Sequence, residues 1–124
     1  MSDQPKYIEL RPKIFNPDTI LVYLDKVDKQ FANAEIEYSN FKDQVQEVFD
    51  YVVSERMDNE KISVSLAKVK ASNDERYKKV KVDFSKSHKL YLYYKIQSKL
   101  AHSYCENLKQ QSINVIATEK LTRN

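Results

Sequence analysis

Glycine is absent from this 124-residue sequence, where an average chain of the same length carries roughly nine. Glycine supplies the left-handed backbone positions of tight turns and the close backbone approach that phosphate-binding loops require. Its absence excludes Gly-rich nucleotide loops, nucleophile elbows and two-residue Asn-Gly hairpins. A chain of this composition favours long helices joined by few corners.

Cysteine and long apolar runs are also scarce. Cys105 is the single cysteine, so an internal disulfide is excluded. We predict that Cys105 is a small core residue and that the protein resides in a reducing cytoplasm. No apolar run approaches the roughly 18 residues needed to span a bilayer, and Met1 to Arg11 has no apolar signal core. We therefore expect a cytoplasmic protein without a membrane partner.

The residues that catalysis and metal binding use are few. His88 and His102 lie 14 residues apart, which is about 21 Å along a helix, so they cannot share a metal ion within one chain. No cysteine or histidine spacing supports zinc, and no grouping of serine, histidine and acid stands out. The sequence predicts a protein that is not an enzyme and that needs no cofactor or metal.

Charge is distributed unevenly along the chain. Residues 1–60 carry 7 lysines and arginines against 13 aspartates and glutamates, whereas residues 61–99 carry 11 against 3. This asymmetry predicts either a polyanionic partner for the basic segment or pairing between the acidic and basic halves of neighbouring subunits. A solvated charged face without a partner is the third interpretation.

The first long helix has a clear start and a narrow apolar stripe. Asn16-Pro17-Asp18 places an N-cap residue before a proline in the first helical turn, with an acid beside it. Apolar residues then recur at alternating steps of four and three, as in a heptad, and so narrow a stripe needs a mate to cover it. This first seam, predicted to hold an oligomer together, consists of Ile20, Leu24, Val27, Phe31, Tyr38, Phe41, Val45, Val48 and Val52, with Ala34 in the same register.

The rest of the chain predicts two more helices. The polar stretch 57–60 is either a turn or a solvated helix segment, and a corner is predicted at Ser72 to Glu75, whose spacing is that of a capping box. A second, weaker seam follows at Tyr77, Val80, Phe84, Ser87, Tyr91, Tyr94, Ser98, Ala101, Cys105, Leu108, Ser112 and Val115.

The predicted fold is all-α, an elongated helical hairpin or bundle of long heptad-patterned helices. An extended arm covers 1–16, and a single helical domain covers 17–117. Its helices span about 17–57, 60–71 and 74–117, and a frayed tail covers 118–124.

An α+β alternative stays open at this point. Residues 62–66, 80–84 and 90–94 are β-rich, so a small antiparallel meander at about 61–97 is conceivable. Neither of its turns would contain glycine, and the heptad register runs through the would-be strands, so helix is favoured.

The basic segment is the candidate nucleic-acid-binding site. At 100° per residue, Lys78, Lys86 and Lys89 fall opposite the second seam, with Tyr93 among them. Lysines neutralise phosphates and release counterions, and a tyrosine can stack on an unpaired base. Single strands fit better than duplexes, because no short recognition helix is evident. The alternative to base stacking is that Tyr93 occupies a core position in an oligomer. The predicted DNA-binding residues are Lys68, Lys70, Arg76, Lys78, Lys79, Lys86, Lys89, Tyr93, Lys95 and Lys99.

The layout resembles the UvsY-type recombination mediators of tailed phages, which are small, helical and glycine-poor. The resemblance rests on Asn59-Glu60-Lys61, the segments 66–74 and 77–83, and the helix that closes on residues 112–116. It covers about 17–117 as a pattern of helix ends and apolar positions. The family's basic cluster near the end of the first long helix has no equivalent, since Arg56 is the only basic residue in 43–60.

The resemblance implies partners and a role. Proteins of this type form rings, bind single-stranded DNA and help load a RecA-like recombinase onto strands coated by single-strand-binding protein, in DNA recombination and repair. The leading hypothesis is such a homo-oligomeric mediator, located in the host cytoplasm if the chain is phage-encoded. The alternative is a non-enzymatic structural or adaptor protein, such as a virion component.

Overall fold

The protein is all-α, as the heptad pattern predicts. The structure is a computed structural model and describes residues 11–122. These residues are 90% helical and contain no strand. The helices are α1 (Pro17–Glu60), α2 (Val64–Ser72) and α3 (Glu75–Thr122).

The chain divides into two compact units, which we describe separately. The terminal unit combines the chain up to Ala32 with the chain from Tyr93 onward, and the central unit runs from Asn33 to Leu92. Helices α1 and α3 each contribute a segment to both units. The sequence prediction of one helical domain over 17–117 stays a prediction.

The start of α1 confirms the predicted cap. The Asn16 side-chain oxygen accepts hydrogen bonds from the backbone N–H groups of Asp18 (3.0 Å) and Thr19 (3.3 Å). These donors belong to the first turn, where a helix has no internal acceptors. Residues 11–16 are not helical, in agreement with the predicted arm, whereas residues 1–10 lie outside the described residues. The Tyr104 hydroxyl donates to the Pro12 carbonyl (2.7 Å) and thereby ties the arm to α3.

The core of the terminal unit joins members of both predicted seams with Tyr23, which the first seam does not include. Tyr23 and Val27 of α1 pack with Ala101 and Cys105 of α3, and all four are almost fully buried. Burial also raises the pKa of the Cys105 thiol, so the thiol stays protonated at neutral pH. The prediction that Cys105 is a small core residue is confirmed.

In the central unit, α1 and α3 meet through aromatic residues, and α2 contributes small buried ones. Phe49 of α1 contacts Tyr77 of α3, with ring centroids 5.1 Å apart. Ala67 and Ala71 are the buried positions of α2 and have no exposed surface. Every member of the first seam is buried or half-buried within its own chain. The chain itself covers much of this stripe, and the role of the first seam in an oligomer stays a prediction.

The corner between α1 and α2 shows how the chain turns without glycine. Helix α1 runs to Glu60, so residues 58–60 are helical where the prediction ended α1 at about 57. Lys61 then adopts a left-handed backbone with φ of 56°, and its N–H donates to the Met57 carbonyl (3.0 Å). Helix α2 begins at Val64 rather than at about 60, because Ser63 caps it through a bond from the Leu66 N–H (3.3 Å).

The conformation of Lys61 yields a stability prediction. A side chain in the left-handed region costs about 1 kcal/mol or more, and glycine avoids that cost. We expect Lys61→Gly to raise the free energy of unfolding by about 1 kcal/mol, measured by urea denaturation. Lys61→Ala is the control and should have little effect, since alanine keeps the Cβ. Destabilisation by the glycine would contradict this interpretation.

At the corner between α2 and α3, the residue that caps α3 differs from the predicted one. Asp74, and not Ser72, caps α3, because its carboxylate accepts from the Arg76 N–H (2.9 Å). Ser72 is the last residue of α2, and its hydroxyl donates to the Lys68 carbonyl (2.9 Å). Serine and aspartate are both good cap residues, so local spacing could not decide between them.

Two further expectations are corrected. Residues 118–122 are helical rather than frayed, and the Thr118 hydroxyl donates to the Asn114 carbonyl within this segment (2.9 Å). Residues 123–124 lie outside the described residues. The alternative meander at 61–97 is wrong, since α2 and α3 occupy this region. Burial there follows the helical period, with Val80 and Ser87 buried and Val82 exposed.

Candidate nucleic-acid interface

The predicted DNA-binding residues fall into both units. Seven of them, from Lys68 to Lys89, belong to the central unit, whereas Tyr93, Lys95 and Lys99 belong to the terminal unit. Tyr93 is half-buried and meets Tyr94 edge-on, with ring centroids 5.4 Å apart. The candidate site is therefore built from the central unit.

Two of the seven cations are engaged in an ion network at the second corner. Both terminal nitrogens of Arg76 donate to the Glu55 carboxylate, at 3.0 and 2.9 Å, and the same guanidinium donates to Asp74. Lys70 pairs with Glu60, which also accepts from Arg56. Neighbouring carboxylates thus neutralise Lys70 and Arg76, which leaves them poorly suited to hold phosphates.

The same network sets the electrostatics of the corner. Asp74 is buried and accepts hydrogen bonds from the side chains of Arg76 and Arg56, and these donors, Arg76 first, hold the pKa of its carboxyl far below the usual range. Hydrogen bonds from Arg76 lower the pKa of Glu55, and those from Lys70 and Arg56 lower that of Glu60. The corner is a structural ion network that requires ionised acids.

The outer face of α3 carries the cations that remain available. Lys78, Lys79, Lys86 and Lys89 are all exposed, and they lie away from the buried positions Val80 and Ser87. The Lys78 ammonium forms only a long ion pair with the Glu75 carboxylate, at 3.9 Å. No described carboxylate lies within 4 Å of the other three lysines. We call these four residues the lysine face. Lys68 of α2 is exposed as well.

The structure also assembles an aromatic cluster that sequence reasoning missed. The Tyr38 ring of α1 stacks on Phe84, His88 and Tyr91 of α3, with centroids 5.4, 5.1 and 4.9 Å away. The interplanar angles are 13°, 24° and 10°, so the four rings are nearly parallel. We call this cluster the aromatic platform. Phe84 and Tyr91 are members of the second seam, and His88 lies four residues after the first and three before the second. This spacing was the sequence signal that could have revealed the α3 side of the platform.

The two histidines have different surroundings. His88 belongs to the platform in the central unit, while His102 in the terminal unit contacts both oxygens of Asp28, at 3.0 and 3.1 Å. Buried Ser98 donates its hydroxyl to the same carboxylate (3.0 Å). A nucleophilic triad needs histidine between serine and acid. Here the acid lies between the other two, so the group acts as a polar tie between α1 and α3.

The polar tie gives a second stability prediction. Asp28→Ala leaves the buried Ser98 hydroxyl without its acceptor, which typically costs about 1 to 3 kcal/mol. We expect a loss of this size in the free energy of unfolding, measured by thermal or urea denaturation. The matched control is Asp25→Ala, one turn away. Its exposed carboxylate pairs with Lys29, and its loss should cost less than about 0.5 kcal/mol. Equal effects of the two variants would contradict the proposed tie.

Within residues 11–122, no three His, Cys, Asp or Glu side chains come together in a way that could hold a metal ion. The helices of that same range contain no apolar stretch of the length that a bilayer requires. The chain matches no protein-family model, and no curated protein or solved structure is significantly similar to it.

Proposed function

We propose that the protein binds single-stranded DNA through the lysine face of α3. The observation that carries this proposal is a row of exposed ammonium groups on one helix, in which Lys78 alone has a described carboxylate, that of Glu75, within 4 Å. Lys78 and Lys89 are 11 positions apart, with Lys86 between them, which is about 16 Å along the helix axis. A phosphodiester strand offers negative charges over such a length, and each neutralised phosphate releases counterions.

The lysine face has charge but no residues that read base edges, which argues against sequence-specific recognition of a duplex. Sequence-specific duplex recognition relies on arginine, asparagine or glutamine at base edges. Between Lys78 and Lys89 the exposed residues along this face are lysines, Val82 and Ser85, and none is arginine, asparagine or glutamine. Such a surface follows a backbone without reading the sequence, as single-strand-binding grooves do.

The cellular role that we propose is a recombination accessory, which loads a RecA-like recombinase onto strands coated by single-strand-binding protein. Its support is the resemblance to UvsY-type mediators over about 17–117. A homo-oligomer, arranged as a ring, belongs to the same proposal. The half-buried members of the first seam and the exposed Ile113 and Leu121 on α3 offer apolar contacts for such subunits.

A charge-reversal variant tests DNA binding. In the Lys78→Glu, Lys86→Glu and Lys89→Glu triple variant, we expect labelled oligo-dT to bind at least about 100-fold more weakly, because three phosphate contacts become repulsive. The slope of log K against log salt should become shallower by about 2, at roughly 0.7 per contact on single strands. Fluorescence anisotropy at several salt concentrations measures both, and circular dichroism verifies that the helices persist.

The matched control reverses three lysines of the terminal unit. Lys13, Lys109 and Lys120 are exposed, so their change to glutamate alters net charge by the same amount away from the lysine face. This control should retain most of the affinity. If it weakens binding as much as the first variant, net charge rather than the lysine face determines affinity, and the proposed site is wrong.

A second candidate function is a helical structural or adaptor protein, for which the central unit offers one specific observation. The surface of α1 there carries an exposed acidic row, formed by Asp43, Glu47, Asp50 and Asp58. This row on one copy complements the lysine face on another in a head-to-tail contact. Light scattering in rising salt should then show dissociation, and oligo-dT should not bind.

A further inference from the structure

The aromatic platform differs from the ordinary core of the central unit. The core residues there are small and aliphatic, and Val52, Ala67 and Ala71 have no exposed surface. Tyr38, Phe84 and Tyr91 are only half-buried, and His88 is exposed. Four nearly parallel rings thus keep part of their area in water, where an aromatic surface gains from a further stacking partner.

Positive charge lies beside these rings. Lys81 precedes Phe84 by three residues and His88 by seven, and Lys42 follows Tyr38 by four, so both lysines are on the same helix faces as the rings. Both are exposed, and the Lys81 ammonium lies 5.3 Å from the centre of the Tyr77 ring. A ligand with a planar ring and an attached phosphate fits such a surface.

From this arrangement we infer that the platform is a stacking site for unpaired nucleobases. A base lies parallel to the platform rings, and the adjoining phosphates face Lys81 and Lys42. The inference rests on the proposed binding of single-stranded DNA and adds the element that holds the bases. It assigns stacking to Tyr38, Phe84, His88 and Tyr91 rather than to Tyr93, on which the sequence prediction relied.

A stacking platform also supplies a preference for single strands. In a duplex the faces of the bases are covered by their neighbours, so the platform would have nothing to bind. Each stacked base contributes enough affinity to change binding by about tenfold. The lysine face, by contrast, serves any phosphodiester chain. The two elements are separable by experiment.

The experiment compares two probes of equal length and charge, oligo-dT and an abasic deoxyribose-phosphate oligomer, on the full chain. Wild-type protein should bind oligo-dT at least about tenfold more tightly than the abasic probe, as anisotropy measures. His88→Ala and Tyr38→Leu should remove this preference while abasic binding stays unchanged. Tyr38→Phe is the control and should keep the preference, since it keeps the ring.

The outcomes separate the two proposals. Equal binding of both probes by wild-type protein overturns the stacking site and leaves DNA binding through the lysine face intact. Binding of neither probe overturns both. Should Tyr38→Leu fail to fold, His88→Ala alone decides, because His88 is exposed. Photo-crosslinking with 5-iodouracil in the oligomer should label platform residues, and labelling of Tyr93 alone would contradict the assignment.

Discussion

Asp74→Ala is expected to lower the free energy of unfolding by about 2 to 4 kcal/mol. An N-cap aspartate is worth about 1 kcal/mol to its helix, and hydrogen bonds to a charged group add about 1.5 to 3 kcal/mol. Asp74 supplies both, because it caps α3 and accepts from Arg56 and Arg76. Urea denaturation followed by circular dichroism measures the loss.

Two control variants separate the contributions of Asp74. Asp74→Asn preserves a good cap residue but removes the charge, so we expect an intermediate loss. Ser72→Ala tests the predicted capping box. It should change stability little, because the Ser72 hydroxyl donates to the Lys68 carbonyl within α2 and does not cap α3. A larger effect at Ser72 than at Asp74 would restore the sequence-based assignment of the cap.

Acid should unfold the central unit through the same corner. The pKa values of Asp74, Glu55 and Glu60 are lower in the folded protein than in an unfolded chain, so the folded state binds fewer protons. Their contribution to stability is complete above about pH 5 and is lost as the pH falls below about 4. We expect Asp74→Asn to flatten this part of the profile of stability against pH. An unchanged profile would rule out the ion network as its cause.

The second large effect is expected at Tyr23, in the core of the terminal unit. Its side chain is 2% exposed and packs with Val27, Ala101 and Cys105. Truncation of a large buried ring leaves a cavity and costs about 3 to 5 kcal/mol. We expect Tyr23→Ala to lower the free energy of unfolding by this amount, and chemical denaturation measures it.

The neighbouring Leu21 provides the control, because it belongs to the same helix turn and is 69% exposed. Leu21→Ala should change stability by less than about 0.5 kcal/mol. Comparable losses at the two positions would mean that another molecule covers Leu21, or that Tyr23 does not form the core. The measured mass of the variant in solution distinguishes these explanations.

The helices were predictable because their signals are local and periodic. Asn16 stands directly before its helix, and the seams repeat every three or four residues along uninterrupted runs. The corners were less predictable, because Ser72 and Asp74 satisfy the same capping rule. Only the packing of Arg56 and Arg76 around one carboxylate decides between them.

The candidate site was only partly predictable, for a physical reason. Exposure of Lys86 and Lys89 follows from their position opposite a seam, whereas the pairing of Arg76 with Glu55 joins residues 21 positions apart. Stacking of Tyr38 on Tyr91 likewise depends on how two helices pass each other. The spacing of Phe84, His88 and Tyr91 places three rings on one face of α3, but it does not encode which residue of α1 meets them.

The terminal unit joins segments that are far apart in sequence, and this affects how the nascent chain folds. Asp28 and Ser98 are 70 residues apart, and Pro12 and Tyr104 are 92 apart. At about 5 to 20 residues per second, the start of α1 leaves the ribosome roughly 4 to 14 seconds before the α3 segment that buries it. During that interval Tyr23 and Val27 are unprotected, so chaperones that shield apolar helices during translation should bind this part of the nascent chain.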